Sequence, residues 1–180
     1  MKSKIGFGGG CHWCTESVFK IIRGVSRVEQ GWIASTGGDA AYSEAVQLTF
    51  DTQVISLEKL VAIHLYTHSS TSNHPMRVKY RSAIYFFNSE QKECLVNILA
   101  ELQNDFDEKL ITRILSFVDF KLNEEKYLNY YEKNKENSFC KLYIEPKLKL
   151  LMTQFSKNVN SQIKEEIGKD VHAQGKSVDR

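Results

Sequence analysis

The stretch Gly8-Gly9-Gly10-Cys11-His12-Trp13-Cys14 restricts this chain more than any other. Before it, Lys4 to Phe7 reads as a short strand. After it, Cys11 to Ile22 carries Trp13, Val18, Ile21 and Ile22 at helical spacing. The expected unit is strand, glycine turn, helix, with Cys11 opening the helix and Gly24 ending it. Three glycines permit φ > 0 and a close approach of the backbone to a ligand. A cysteine at a helix start lies near the positive end of the dipole, which favours thiolate over thiol. The dipole alone contributes about 0.3–1 kcal/mol, so further stabilisation has to come from donors such as the glycine amides. The same spacing also suits a plain tight turn holding two buried cysteines, and the local pattern leaves both readings open.

The rest of the chain alternates strand and helix signals. Val25 to Ile33 and Ser43 to Asp51 read as strands, with Ser35 to Ala41 a short loop. Ser56 to His68 reads as a helix capped by Ser56. Ser69 to Val78 is an irregular loop and Tyr80 to Phe87 a strong strand. Ser89 to Asp107 reads as a long helix capped by Ser89, with Cys94, Leu95, Ile98, Leu99 and Leu102 inward. Leu110 to Phe120 is expected as one strand, Glu124 to Lys133 as a helix and Asn134 to Ser138 as a loop. Phe86, Phe87, Tyr130 and Tyr131 read as core. The pattern predicts a single α+β domain, a two-layer sandwich of a mixed sheet with flanking helices. Residues 1–150 form the catalytic unit in this reading. Residues 151–180 form a C-terminal extension, helical at first and loose from Gly168.

Composition narrows the chemistry. A net charge of +2, with no basic run interleaved with aromatics, argues against nucleic acid. No apolar stretch approaches the roughly 18 residues of a membrane span, and the glycines interrupt any signal-peptide core. A cytoplasmic protein with free thiols at Cys11, Cys14, Cys94 and Cys140 is expected. Cys11-x-x-Cys14 has no second pair at zinc spacing, and His64 and His68, one helical turn apart, have no third ligand in sequence, so no metal is expected.

The glycine–cysteine stretch resembles the peptide methionine sulfoxide reductase A family, whose hallmark is Gly-Cys-Phe-Trp-[Cys/Gly]. The resemblance runs on through Thr15-Glu16-Ser17-Val18-Phe19, Glu44-Ala45-Val46 and Val54-Ile55-Ser56-Leu57-Glu58-Lys59-Leu60. It is strongest at Tyr80-Arg81-Ser82-Ala83-Ile84-Tyr85 and closes at Phe139-Cys140-Lys141-Leu142-Tyr143-Ile144-Glu145-Pro146-Lys147-Leu148. The resemblance implies reduction of methionine S-sulfoxide, free or in proteins, with no bound cofactor. Cys11 would be the nucleophile and Glu44 the acid that protonates the sulfoxide oxygen. Trp13 would line the pocket for the methyl group and Tyr80 would contact the oxygen. Cys140 would resolve the sulfenic acid, with Cys14 as the alternative, and thioredoxin or dithiothreitol would reduce the disulfide. The chemistry itself asks for such an acid, because a sulfoxide sulfur is electrophilic only when its oxygen is polarised. An apolar, aromatic setting built from Trp13 with Trp32 or Tyr42 would keep Glu44 protonated.

The chain also departs from the family. His12 replaces the pocket phenylalanine, as a packing residue or as a charge beside the thiolate. The segment between Gly31 and Glu44 is shortened, removing a second tyrosine ligand for the oxygen. The loop before Tyr80 lacks the family's aspartate, whose space Asn73 or His74 could fill. Two other readings compete with the reductase. One is a thiol–disulfide oxidoreductase using Cys11 and Cys14; the other is a non-catalytic relative that binds methionine-bearing partners.

Overall fold

The computed structural model describes residues 1–165. The strands are β1 (Lys2–Gly8), β2 (Val25–Ala34), β3 (Ser43–Asp51), β4 (Ala83–Phe86), β5 (Arg113–Ser116) and β6 (Asp119–Leu122). The helices are α1 (His12–Lys20), α2 (Leu57–Thr67), α3 (Ser89–Leu102), α4 (Tyr130–Lys133) and α5 (Glu145–Gln154). The six strands form one sheet in the order β5-β4-β1-β3-β2-β6, antiparallel except for the β4–β5 pair. This is the expected α+β arrangement of a mixed sheet with helices.

Period-two alternation divides the strands between two cores. Ile5 and Phe7 of β1, Val46, Leu48 and Phe50 of β3 and Ile84 of β4 pack under Val18, Phe19, Leu60 and Ile63 of α1 and α2. On the other face Ile33, Ala45, Ala83 and Tyr85 form a smaller cluster with Leu115, Phe117 and Phe120. Glu44 keeps the phase of Val46 and Leu48, so it lies on the helix face at the end of β3, where α1 begins.

Leu110 to Phe120 does not make one strand. It yields β5 and the start of β6, which sit at opposite ends of the strand order. Laid flat, those ends would be about 24 Å apart, while the link from Ser116 to Asp119 spans at most about 10 Å. The sheet therefore rolls. The Phe117 N–H donates to Phe86 O at 2.9 Å and the next N–H, of Val118, to Ala34 O at 3.1 Å. Gly31 permits the β6 contact, because a Cβ there would stand 2.0 Å from Lys121 O.

Other expectations change too. The strand expected from Tyr80 starts at Ala83, because Arg81 N–H is taken by Ser43 Oγ and Lys79 O by the start of β3. Asn88, not Ser89, caps α3 through Gln91 N–H, and Cys94 is exposed rather than inward. Glu124 to Lys133 breaks at Asn129, whose φ is +56°. Ser56 caps α2 through Lys59 N–H as expected, whereas α1 already ends at Lys20 with Ile21 as its C-cap, and Gly24, at φ +92°, turns the chain into β2 instead of ending the helix. Ile22 pairs with Val159, fastening the chain beyond α5 to the body. The expected loose tail from Gly168 lies outside the described residues.

Candidate active site

Cys11 is the N-cap of α1. The first N–H groups of a helix have no partner in the preceding turn, and here they gather around the Cys11 thiol and the Glu44 carboxyl group. The N–H groups of Trp13 and Cys14 favour the Cys11 thiolate, that of Cys14 while donating to Cys11 O at 3.1 Å, and His12 N–H donates to Glu44 Oε2 at 3.1 Å. The Cys11 thiol is held below its ordinary value chiefly because the Cys14 thiol donates to it. Burial and the Glu44 charge oppose that, while the two N–H groups assist. Cys14 is pushed up as the donor in the same contact and by its own burial. The two shifts run in opposite directions, so of the two thiols Cys11 is the one that ionises more readily. The glycines achieve this without φ > 0, since neither Gly8, Gly9 nor Gly10 adopts it. Gly9 is required for another reason: a Cβ there would lie 2.4 Å from the His68 ring.

Glu44 is buried, but its surroundings are not the apolar pocket expected. Its Oε1 lies 3.3 Å from Lys79 Nζ, and that ammonium also sits 5.0 Å from the centre of the Tyr80 ring. Lys79 is pushed up by Tyr80 and then by Glu44. Trp32 pairs with Glu44 across β2 and β3 and sets its indole edge-on to His12 at 5.3 Å. Tyr42 is turned away from the cavity: its hydroxyl donates to the Asp119 carboxylate and Lys121 covers its ring at 4.0 Å.

A cavity of about 270 Å³ opens beside Cys11, lined by Cys14, His64, His68, Tyr80, Phe139 and Lys147 among others. Neither imidazole offers a cation here. Burial holds His64 well below its usual value and His68 down at about 4. His64 Nε2 contacts Gly8 O at 3.0 Å and His68 Nε2 contacts Ser82 Oγ at 2.8 Å. Among the described residues no group of three His, Cys, Asp or Glu side chains is arranged to hold a metal.

His12 points into the body. Its Nδ1 lies 2.9 Å from Gly31 O and its Nε2 3.3 Å from Asn123 Nδ2, contacts that fit the Nδ1–H tautomer. Asn123 continues to Gln30, and Gln30 to Glu16, whose carboxylate accepts Asn129 N–H. This buried chain fixes residues 123–129 against α1. Tyr130 consequently stacks on Trp13 at 3.9 Å, with Phe139 edge-on at 5.7 Å. Trp13 Nε1 is buried without a hydrogen-bond partner.

Cys140 is not on a loose segment. It opens a π-helical turn, Cys140–Ile144, that runs directly into α5, and it is fully buried. Burial raises its pKa, and its charge is felt by Cys14. Thus Cys11, Cys14, Glu44, Tyr80, Trp13 and Cys140 are brought to one end of α1, while His12 and Trp32 form the layer beneath and Tyr42 stands apart.

Three residues were missed from sequence. Arg77 spends its guanidinium on the carbonyls of Ser69, Ser72, Tyr80 and Gly9, tying the loop before Tyr80 to the glycine turn. Lys79 adjoins the Tyr80 motif, a signal that could have found it. Lys147 stood inside the Pro146-Lys147-Leu148 match and was read there only as sequence.

The chain is similar to known proteins over most of its length. The family model described as peptide methionine sulfoxide reductase matches residues 3–160. Peptide methionine sulfoxide reductase MsrA of Pasteurella multocida is 37% identical over 155 residues, covering 78% of this chain and 89% of that relative. MsrA of Acinetobacter baumannii is 34% identical over 170 residues, covering 87% and 97%. Among solved structures, Saccharomyces cerevisiae Mxr1 in an unusual oxidized form superposes with a TM-score of 0.62 at 25% identity, covering 74% and 82% of the two chains. Mxr1 in complex with Trx2 shares the fold at a TM-score of 0.57 and 22% identity, covering 69% and 83%.

Proposed function

Because this chain belongs to the peptide methionine sulfoxide reductase family, we propose how its own residues divide the reaction that reduces methionine S-sulfoxide to methionine at the expense of thiols. Cys11 thiolate attacks the sulfoxide sulfur. Glu44, after taking a proton from solvent, passes it to the sulfoxide oxygen, flanked by Lys79 and Tyr80. The hydroxyl then migrates from the substrate sulfur to the Cys11 sulfur as the new sulfur–sulfur bond breaks, so methionine leaves with its lone pair restored and Cys11 holds a sulfenic acid. Trp13, under Tyr130, forms the apolar wall for the methyl group. Lys79 takes up part of the oxygen contact that the shortened loops no longer supply.

The observation that carries this reading is the Cys14 thiol donating to the Cys11 sulfur. It favours the thiolate form of the nucleophile and places a second thiol against the atom that becomes oxidised. Cys14 therefore condenses first with the sulfenic acid, releasing water, and buried Cys140 comes second through exchange. The sequence had favoured a direct Cys11–Cys140 bridge; the burial of Cys140 in a helical turn favours Cys14. A thioredoxin-type dithiol protein completes the cycle, as the solved complex of Mxr1 with Trx2 suggests by analogy. A dedicated thiol–disulfide oxidoreductase is not favoured, since the relatives are sulfoxide reductases.

Peptide mapping after one turnover without reductant tests the order. In Cys140→Ser a Cys11–Cys14 disulfide should accumulate. A Cys11–Cys140 disulfide as the dominant product of the unmodified protein would return the resolving role to Cys140.

A further inference from the structure

The cysteine pair has a cationic neighbour that the sulfoxide step leaves unused. Lys147 lies in the first turn of α5, directly after Pro146. Its ammonium donates to the carbonyl of Thr67, the last residue of α2, where carbonyls lack helical N–H donors. That anchor, in which the ammonium supplies the donor the last α2 carbonyl lacks, sets the charge in the wall of the cavity that also holds Cys11 and Cys14. Burial lowers the Lys147 pKa, and the charges of Cys14 first and Cys11 second raise it. The other titratable groups around this wall are His64, His68, His74, Tyr80 and Tyr143, with Cys140 and Glu145 behind them and Arg77 beyond His68.

We infer that Lys147 is a positioning residue for the second half of the cycle, holding the Cys14 thiolate that attacks the Cys11 sulfenic acid. The inference rests on Cys14 being the first resolving thiol. In the reduced enzyme Cys14 must keep its proton, because it is the donor to Cys11 and two adjacent anions disfavour each other. Oxidation reverses that situation. Cys11 now carries a neutral sulfenic acid, so Cys14 loses the anion that kept it protonated, while the ammonium of Lys147 stays anchored to Thr67. Cys14 gives up its proton and its sulfur attacks the Cys11 sulfur. The sulfur–oxygen bond breaks, and the departing hydroxide takes the released proton to leave as water. Both sulfurs end in the disulfide, and no outside oxidant is needed. The same lysine thus serves whichever sulfur of the pair is ionised, and the switch is made by the chemistry at Cys11.

The test is a single turnover with excess free methionine sulfoxide and no reductant, in wild type, Lys147→Met and Lys147→Arg. Methionine formed in the burst reports the first half-reaction. Acid quench, alkylation and mass spectrometry report the Cys11–Cys14 disulfide. In Lys147→Met the disulfide step should slow about tenfold more than the burst, and its pH midpoint should rise by about one unit. Lys147→Arg should restore most of both. Equal slowing of the two steps in Lys147→Met, or an unmoved pH midpoint, would overturn the inference. A wild-type burst that forms no Cys14 disulfide would instead remove the Cys14 reading on which it stands.

Discussion

At the residue scale the account turns on the contact between the Cys14 and Cys11 thiols. Cys11 is shifted down and Cys14 up, so the two thiols should respond oppositely to alkylation. Cys11 should react with iodoacetamide along a pH curve whose midpoint lies below the ordinary thiol value, with Cys14 inert over that range. Cys14→Ala removes the leading donor and should move the Cys11 midpoint upward, which a pH–rate series on the intact protein would register. Glu44→Gln keeps the shape and the contact with His12 N–H but gives up the transferable proton. Turnover should fall by about 10²–10⁴, and a wild-type rate from steady-state assay would assign the acid elsewhere. Cys11, Trp13 and Glu44 could be found in the sequence because each sits inside a short ordered motif. Lys79 lay beside the Tyr80 motif and could have been found by it, but the role of Lys147 could not, because it arises only where α5 meets the end of α2. Tyr42 was misplaced for the converse reason. Its neighbour in sequence is the strand that carries Glu44, but its neighbour in space is Asp119 on the outer edge strand.

At the scale of elements, the strand–glycine–helix unit was legible and its internal detail was not. The glycines were expected to adopt positive φ; instead Gly9 makes room for His68, a residue brought up by α2. Gly9→Ala should push the His68 ring aside and disturb the turn that carries Cys11, lowering kcat before it lowers stability, as kinetics paired with urea unfolding would reveal. Gly31→Ala should act the other way round. Its Cβ would meet a backbone carbonyl of β6, which cannot swing aside as a side chain can, so a loss of about 1–3 kcal/mol in unfolding free energy is expected. The segment from Leu110 to Phe120 defeated period counting because its extended backbone is continuous while its partners change. Alternation reports which way side chains point and is silent on which strand lies alongside. The break at Asn129 carried a fainter signal, since asparagine is among the residues that tolerate the left-handed region.

At the scale of the molecule, the rolled sheet and the helix layer bury two imidazoles, and this couples stability to pH. His68 is lowered to about 4 from an ordinary 6.5, mainly by burial, and His64 is lowered in the same direction. In this range the unfolded chain binds protons that the folded chain refuses. Stability contributed by the neutral rings is therefore complete above about pH 6.5 and is lost as pH falls toward 4. Denaturant midpoints should drop between pH 7 and pH 5, and much less so in a His68→Gln variant. The α+β class was readable because strand and helix periods alternate along the chain, whereas the curl that joins both sheet edges through Phe117 and Val118 depends on contacts no local pattern records. What this frame holds in place is Cys11, and the most direct measurement is made on its product. Racemic methionine sulfoxide incubated with the protein and dithiothreitol, resolved by epimer and quantified by mass spectrometry, should show the S epimer converted to methionine, the R epimer left, and neither consumed by Cys11→Ser. Equal consumption of both epimers, or turnover surviving in Cys11→Ser, would contradict it.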